Sequence, residues 1–459
     1  MALEVVVLAA GMGTRMRSSV PKVLHPIGGE PMLRRVLDAV GELAPSRIHL
    51  IVGSGHEQVR AALPDPTLNY VLQAEQKGTG HAVQQVVPHL GDSQVLILYG
   101  DVPLITTTSL RRLINAGTGR FGLMTAVMDD PTGLGRILRS DGGKVRGIRE
   151  QKDATPGERQ INEINTGLMV VPSARLRSWL GRLQPNNAQG EYYLTDIVEM
   201  AVQDGVEVVT THPDSVDETG GINDRVQLAA AERIWQRRQV DALMRSGTTM
   251  YDPARVDIRG KVIAGQDCVI DVNTVFEGTV VLGDRVRIGA HCVVRNASIG
   301  DDSVVESHTS IDGAVLERKV TVGPFARLRP GTKLGDKVRI GNFVEAKKAI
   351  LGAGSKANHL AYLGDTTMGD DCNIGAGTIT CNYDGVNKHR TEIGDGVFVG
   401  SNATLVAPIT LESGAFVAAG STITAKVPSQ TLAVGRGKQR NIEGWVRPDQ
   451  RPINSDDDD

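Results

Sequence analysis

The feature that most constrains this 459-residue chain is a large apolar residue at every sixth position in long stretches of its second half. A helix repeats at about 3.6 residues and a strand at about 2, so neither explains this period. A parallel β-helix of hexapeptides does, because each six residues form one side of a coil and direct one side chain inward. A β-sandwich of short strands would not keep the period. The predicted inward residues are Ile270, Phe276, Leu282, Ile288, Val294, Leu316, Val322, Leu328, Leu334, Ile340, Ile393, Val399, Leu405, Leu411, Val417 and Ile423.

The composition agrees with such a solenoid. The chain has 53 Gly but only 6 Phe, 3 Trp and 7 Tyr, and a narrow aliphatic column leaves little room for aromatic rings. Glycine often follows an inward aliphatic residue, as at Gly283, Gly289, Gly341 and Gly400, where we expect tight corners.

The repeat falters between Lys347 and Arg390, and we expect insertions there on one face of the solenoid, which is often the binding face. Past Gly435 the period ends, which predicts a loose tail.

The first half of the chain alternates apolar strand-like runs with helix-like stretches. This order predicts a doubly wound, Rossmann-like α/β domain, with a parallel sheet between helices and ligands at the carboxyl ends of the strands. The expected strands are Glu4–Ala9, Arg47–Val52, Asn69–Leu72 and Gln94–Tyr99, and the expected helices are Pro31–Leu43 and Thr79–Leu90.

A polar helical stretch, Asp224–Arg245, has only a partial apolar stripe and is of a kind that can bridge two domains. We therefore predict an α/β domain at 1–225, a helical linker at 226–250, the β-helix at 251–436 and a tail at 437–459.

Charge and composition exclude several classes of protein. The 50 basic and 53 acidic residues give a net charge of −3, and four of the acids form the terminal run Asp456–Asp459, so the body offers no basic field for nucleic acid. No apolar run is long enough to span a membrane and no secretion signal is readable, so we expect no membrane insertion and a cytoplasmic location. The four cysteines lack zinc-site or C-x-x-C spacing and are expected to be free thiols.

The loop after the first strand reads L-A-A-G-M-G-T-R-M-R-S-S-V-P-K. Gly11 and Gly13 let backbone N–H groups approach a phosphate chain, and Arg15 and Lys22 can neutralise it. The pattern matches neither the dinucleotide G-x-G-x-x-G nor the Walker motif, which argues against a dehydrogenase or a P-loop ATPase. Asp101 ends another predicted strand, where a carboxylate suits Mg²⁺; a lone Asp there would otherwise be read as a helix cap.

The G-x-G-T-R-M loop with Pro21 and Lys22 resembles the signature of the sugar-1-phosphate nucleotidyltransferases. With the hexapeptide half attached, roughly Val5–Arg436 is similar to the bacterial bifunctional N-acetylglucosamine-1-phosphate uridylyltransferase/glucosamine-1-phosphate N-acetyltransferases. The resemblance implies acetyl transfer from acetyl-CoA to glucosamine-1-phosphate, then Mg²⁺-dependent uridylyl transfer from UTP to N-acetylglucosamine-1-phosphate with release of pyrophosphate. It also implies a left-handed coil, a homotrimer and a role in precursor supply for peptidoglycan and lipopolysaccharide.

The resemblance assigns residues to the uridylyltransferase site. Asp101 and Asn223 would be the protein ligands of Mg²⁺. The nucleotide and sugar contacts would be Leu8, Ala9, Ala10, Gly11, Arg15, Lys22, Gln73, Gly78, Thr79, Tyr99, Gly100, Asp101, Gly135, Glu150, Asn165 and Asn223.

In the acetyltransferase half, the resemblance makes His359 the general base that deprotonates the glucosamine amine, a role that suits imidazole. Asn358 and Ala361 depart from the family's pattern of glycine and threonine beside this base. The sugar-phosphate contacts would be Arg329, Lys347, Tyr362 and Asn373, and the acetyl-CoA contacts Ala376, Asn382, Tyr383, Lys388, Ser401, Ala419 and Arg436.

Two other functions remain open from the sequence. One is a nucleotidyltransferase whose β-helix only trimerises or regulates, which would require loss of the His359 chemistry. The other is a sugar-nucleotide binding protein without activity, which would require loss of Lys22, Asp101 or Asn223. All of these residues are present.

Overall fold

The computed structural model describes residues 2–451 and divides the chain into two compact units. The first takes in the chain through Arg245 together with Asp252–Lys261 and Phe276–Gly278, and the second takes in the remainder. The acidic run Asp456–Asp459 lies outside the described residues. Within them, no helix is long and apolar enough to cross a membrane.

The first unit is a layered α/β structure. Its strands are β1 Ala2–Ala9, β2 Pro26–Ile27, β3 Glu30–Pro31, β4 Arg47–Val52, β5 Leu68–Leu72, β6 Ser93–Tyr99, β7 Phe121–Val127, β8 Arg136–Arg139, β9 Val145–Arg149, β10 Glu163–Pro172 and β11 Val208–Thr211. Its helices are α1 Met32–Gly41, α2 His56–Ala62, α3 Thr79–Gln84, α4 Thr107–Ala116, α5 Ser173–Leu180, α6 Asp196–Gln203 and α7 Arg225–Arg245.

The central sheet has the strand order β11-β7-β10-β6-β1-β4-β5. Apolar cores cover both of its faces, since Val6 and Leu8 of β1 pack into one cluster and Val5 and Val7 into the other. This explains why β1 reads as an unbroken apolar run. The doubly wound arrangement is confirmed.

The four predicted strands pair in parallel, whereas β10, which was not among them, runs antiparallel to both β6 and β7. The chain passes from β7 to β10 through the antiparallel pair β8 and β9 instead of a crossover helix. A parallel return needs a long crossover connection, usually helical, and this stretch forms strands instead.

Helix α7, which overlaps the predicted linker at 226–250, lies in the first unit. Besides the apolar packing of Ala231, it has polar contacts: Gln236 Nε2 donates to Ile258 O at 2.9 Å, and the Gly28 N–H donates to Glu232 Oε2 at 2.7 Å. The Arg35 guanidinium stacks over the Trp235 ring, 4.0 Å from its centroid. These contacts compensate for the weak apolar stripe of the helix.

From Thr249 onward the chain forms a left-handed parallel β-helix, in which each strand pairs with a strand of the next coil, as Val293 does with Ser310. The strands are Thr249–Met250, Val256–Ala264, Val269–Ile270, Thr274–Leu282, Arg287–Ile288, Val293–Arg295, Ser298–Ile299, Val304–Val305, Ser310–Asp312, Val315–Leu316, Thr321–Val322, Arg327–Leu328, Lys333–Leu334, Arg339–Asn342, Glu345–Lys347, Ile350–Leu351, Lys356–His359, Tyr362–Gly364, Thr366–Met368, Asn373–Ile374, Ile379–Cys381, Thr391–Ile393, Phe398–Val399, Thr404–Val406, Ile409–Leu411, Phe416–Val417, Thr422–Ile423 and Leu432–Ala433.

The predicted inward column is confirmed, because all sixteen residues are buried and the most accessible, Ile423, is 6% exposed. One aromatic ring, Phe276, also fits inside at 1% exposure, whereas Phe325, Phe343, Phe398 and Phe416 are exposed on the outside.

The glycines that follow the aliphatic residues are needed for a reason other than the tight corners that we predicted. Gly283, Gly289, Gly341 and Gly400 all lack a positive φ. A Cβ at Gly341 would lie 1.9 Å from the carbonyl oxygen of Asn358 in the next coil. Glycine is therefore required for close stacking of coils.

The expected faltering begins later than Lys347. Residues 347–380 keep the coil regular, as Lys356 pairs with Arg339 in the coil before it and with Asn373 in the coil after it. The insertion is confined to the loop after Cys381. The chain passes through this loop between the strand that begins at Thr366 and its partner in the next coil, which begins at Thr391. The inserted residues thus leave the coil at one corner.

Candidate active sites

Two adjoining cavities open at the carboxyl ends of β1 and β6, which are neighbours with Leu8 in register with Tyr99. Both cavities are lined by Thr79, Tyr99 and Asp101. The predicted residues that line only the first are Leu8, Ala9, Ala10, Gly11, Lys22, Gln73 and Gly78, and those that line only the second are Arg15, Gly135, Glu150, Asn165 and Asn223.

Gly100 is the exception, since it lines neither cavity. A Cβ there would lie 3.1 Å from Leu33 and 3.3 Å from the side chain of Ala9. This glycine lets the strand end pack tightly beneath the cavities.

Backbone geometry explains the two glycines of the loop after β1. Gly13 has a φ of +60°, and a Cβ there would lie 2.6 Å from Cβ of Lys22. Nothing would contact a Cβ at Gly11, which lines the first cavity. Gly13 therefore shapes the loop, and Gly11 leaves its backbone open to a ligand.

The Lys22 ammonium reaches the two predicted metal ligands. It donates to Asp101 Oδ2 and to Asn223 Oδ1, the latter at 3.1 Å. A cation already lies between these oxygens, so the pair fits a hard metal ion that takes its other ligands from water and phosphate. The described residues contain no group of three or more His, Cys, Asp or Glu that could hold a metal.

Buried ionisable groups form the floor of the second cavity. Burial raises the pKa of Tyr99, with Glu150 and Asp101 adding to the rise. Burial also raises the pKa of Glu150, which accepts a hydrogen bond from Thr195 Oγ1 at 3.0 Å. A Cβ at Gly167 would lie 2.4 Å from the Tyr99 ring, so that glycine makes room for the tyrosine.

Sequence reasoning missed the loop that covers the second cavity. Gln189, Glu191 and Tyr193 line it, and Gln189 Nε2 donates to the Tyr193 hydroxyl at 2.7 Å while Gln189 Oε1 accepts from Lys152 Nζ at 2.8 Å. The only available signal was the polar run P-N-N-A-Q-G-E-Y-Y, which is typical of many surface loops.

In the β-helix, His359 lies at a corner shared by several predicted acetyl-CoA contacts. Its Nδ1 is 2.8 Å from Oδ1 of Asn342, the residue in register with it one coil earlier. The ladder that pairs Ala357, Ile374, Val399 and Val417 gives equivalent positions in successive coils to His359, Ala376, Ser401 and Ala419. Arg436 Nη1 donates to the carbonyl of Ala419 at 2.5 Å. These residues form one column down the corner.

Three cations lie near one another: Arg329 and Lys347 of successive coils and Lys388 of the inserted loop. The Lys388 ammonium lies close to that of Lys347 and repels it, which lowers the pKa of Lys347, and Arg329 adds to the repulsion. Arg329 Nη1 donates to Glu345 Oε1 at 2.8 Å, an ion pair that offsets part of this positive charge. A group of cations that repel one another in this way is suited to a phosphate.

The inserted loop is held in place by Asp384. Its carboxylate accepts from the N–H groups of Val386 at 2.8 Å and Asn387 at 2.6 Å, and pairs with His389 Nε2 at 2.7 Å. Tyr383 and Lys388 pair across the loop as an isolated antiparallel bridge.

The other predicted residues of the second half have distinct surroundings. Asn382 donates to Asp365 Oδ2 at 2.5 Å. A Cβ on Gly364 would lie 2.6 Å from the Tyr362 hydroxyl and 2.8 Å from the Asn382 amide, which places these two side chains together. Asn373 lies in the other sheet of the β-helix, in register with Lys356 and Phe398.

Asn358 and Ala361, which depart from the family pattern, both occupy regular positions in the coil. Ala361 is buried, and the carbonyl of Asn358 stacks against Gly341. Asn342, Asp365 and Asp384 were missed from the sequence. The regular spacing between successive coils was the signal that could have identified Asn342 as the neighbour of His359.

Comparisons with known proteins agree along the whole chain. A family profile described as a MobA-like NTP transferase domain matches residues 5–160, a GMPPB C-terminal domain matches 258–349, and a hexapeptide repeat of succinyl-transferase matches 390–425. Bifunctional protein GlmU of Alkalilimnicola ehrlichii is 54% identical, covering 98% of both chains. That of Stutzerimonas stutzeri is 54% identical over 98% of this chain and 99% of its own, and that of Burkholderia multivorans 54% over 97% and 99%.

Proposed function

Because this chain belongs to the family of the bifunctional protein GlmU, we propose that its two units carry two successive reactions leading to UDP-N-acetylglucosamine. The β-helix transfers acetyl from acetyl-CoA to glucosamine-1-phosphate. The α/β unit transfers uridylyl from UTP to N-acetylglucosamine-1-phosphate and releases pyrophosphate. The observation that carries this proposal is the identity of 54% over 98% of both chains, since it spans both units.

In the uridylyl transfer, a phosphate oxygen of the sugar attacks the α-phosphorus of UTP, and pyrophosphate leaves. The protein's task is to position the reactants and neutralise their charge. Lys22 and Arg15 supply positive charge beside the loop, and Asp101 and Asn223 would hold Mg²⁺. The bound ion would neutralise phosphate oxygens and orient them.

The two cavities divide the substrates of this reaction. The first, beside the open backbone at Gly11, receives the nucleotide, with Gln73 for the base. The second receives the sugar, with Glu150 and Asn165 as polar contacts. Asp101 borders both cavities, where the two phosphates must meet.

In the acetyl transfer, the 2-amine of the sugar attacks the thioester carbonyl. Nε2 of His359 takes the proton of the amine, and Nδ1–H donates to Asn342. The C–S bond then breaks, and coenzyme A leaves as a thiol with that proton. Arg329 and Lys347 bind the sugar phosphate, and the neighbouring Lys388 contacts acetyl-CoA.

Two assays on the purified protein test the proposal. One measures thiol release from acetyl-CoA with glucosamine-1-phosphate, and the other measures pyrophosphate release from UTP with N-acetylglucosamine-1-phosphate and Mg²⁺. Both are expected to be positive. Pyrophosphate release without thiol release would instead favour the nucleotidyltransferase with a non-catalytic β-helix, and neither activity would favour a binding protein.

The active assembly is proposed to be a homotrimer. This is supported by a ladder of exposed stacked rings on one corner of the β-helix: His291–His308 centroids are 4.7 Å apart, His308–Phe325 4.8 Å and Phe325–Phe343 5.4 Å. Such a continuous exposed surface is typical of an interface. Light scattering should give three chains for the native protein and fewer for Phe343→Asp; a native monomer would contradict the proposal.

A further inference from the structure

The Lys22 side chain has an unusual position for a residue expected to bind phosphate. Its ammonium is shared by Asp101 Oδ2 and Asn223 Oδ1. The Lys22 side chain is 11% exposed and that of Asp101 17%. The ammonium is therefore largely screened from water and bonded to the two oxygens that would hold the metal.

This contact ties together three separate segments. Lys22 begins a short 3₁₀ turn after the phosphate loop, Asp101 follows β6, and Asn223 precedes α7. The stem of Lys22 is packed against Gly13, which cannot accept a Cβ without a collision. The ammonium thus holds together the metal-binding oxygens while its stem remains part of the loop.

A divalent cation and an ammonium cannot share these oxygens, because like charges at such separation repel strongly in a partly buried site. Entry of the metal therefore requires the ammonium to move. A bound triphosphate would offer it new anionic partners in the adjacent first cavity, which Lys22 also lines.

We propose that Lys22 is an internal occupant of the metal position, and that it exchanges the oxygens of Asp101 and Asn223 for phosphate oxygens when metal and nucleotide enter together. This inference rests on the proposed metal site. Metal alone must displace Lys22 without compensation, whereas metal with a triphosphate gives Lys22 another partner. Metal and nucleotide therefore strengthen each other's binding, and the coupling is reciprocal.

The test is Mn²⁺ binding to the full-length protein without nucleotide, measured by the loss of free Mn²⁺ signal in electron paramagnetic resonance. Lys22→Met keeps the length of the stem and removes the charge, and we expect it to bind Mn²⁺ about tenfold more tightly than the native protein. Lys22→Arg keeps a competing cation and should stay within about twofold. Equal or weaker binding by Lys22→Met would overturn the proposal.

Two controls separate occupancy from general electrostatics. Arg15 lines the second cavity but, among the described residues, has no hydrogen bond to Asp101 or Asn223. Arg15→Gln should therefore change nucleotide-free Mn²⁺ affinity by less than about twofold. A gain equal to that of Lys22→Met would show that charge alone is responsible and would also overturn the proposal. Lys22→Gln provides a second neutral variant if Lys22→Met fails to fold.

A second titration, with UTP present, distinguishes failure of this inference from failure of the metal site. UTP should strengthen Mn²⁺ binding more in the native protein than in Lys22→Met. Asp101→Asn should weaken Mn²⁺ binding in both conditions. If it does not, the proposed metal site is wrong; if it does while Lys22→Met shows no gain, only the occupancy of Lys22 is wrong.

Discussion

Replacement of Asn342 by alanine tests the acetyl-transfer chemistry through a residue that is not expected to touch substrate. Asn342 Oδ1 is 2.8 Å from Nδ1 of His359. With Nδ1–H donating to this oxygen, Nε2 is left unprotonated and free to act as the base. As His359 takes the proton of the amine, the same hydrogen bond becomes one to a charged donor.

The magnitude follows from that change in charge. A neutral hydrogen bond contributes about 0.5–1.5 kcal/mol and one to a charged group about 1.5–3 kcal/mol. The difference, about 1–1.5 kcal/mol, is gained only as the reaction proceeds. Because His359 is exposed to solvent, the lower end applies, and kcat/KM for acetyl transfer should fall about fivefold in Asn342→Ala.

The assay is thiol release at low substrate concentration, and pyrophosphate release by the same preparation is the internal control. Asn342→Asp keeps an acceptor oxygen at this position and should retain most of the activity. Thiol release within twofold of the native rate in Asn342→Ala would refute the reasoning. An equal fall in both activities would indicate damage to the fold instead.

Three further predictions concern other parts of the molecule. Burial, with repulsion from Glu199 and Glu150, raises the pKa of Asp196 to about 6, so its contribution to stability is present at low pH and lost as the pH rises through about 6. Asp196→Asn should therefore raise the Tm of the first unit above pH 7 by about 2–4 °C, a value discounted for solvent screening. Below about pH 4 the Tm should be unchanged. An equal rise in Tm at the two pH values would contradict this prediction. Asp384→Ala removes the anchor of the inserted loop and should raise the KM for acetyl-CoA about tenfold while pyrophosphate release is unchanged, whereas an unaltered KM would exclude a positioning role. Leu328 is fully buried, so Leu328→Ala should destabilise the β-helix by about 2–5 kcal/mol in denaturant titrations, and a loss below about 1 kcal/mol would show that its surroundings collapse into the cavity.

Local sequence patterns predicted the parts of the fold that follow from the burial requirement of each residue in its own strand or coil. Leu328 and the other inward residues could be identified because each side of a coil repeats the same burial requirement. The direction of β10 could not be predicted, because it depends on a hairpin whose strands carry no distinctive pattern. The glycine at Gly341 was identified but its reason was not, since the contact that excludes a Cβ comes from the next coil.

In the candidate sites, too, local sequence patterns predicted some features, whereas features that depend on tertiary packing were missed. The loop motif predicted that Lys22 and Asp101 lie near each other, because the carboxyl ends of neighbouring strands meet at one edge. It did not predict that they bond directly, since this depends on how the loop packs around Gly13. Asn342 was missed because its role arises only from the stacking of coils.

The central claim, two separate active sites on one chain, is tested most directly by mixing two damaged variants. His359→Ala should lose acetyl transfer alone, and Asp101→Asn should lose uridylyl transfer alone. Neither variant should convert glucosamine-1-phosphate, acetyl-CoA and UTP to UDP-N-acetylglucosamine, as measured by mass spectrometry. Their mixture is predicted to form it, because each supplies the step that the other lacks; no product from the mixture, or product from either variant alone, would contradict the account.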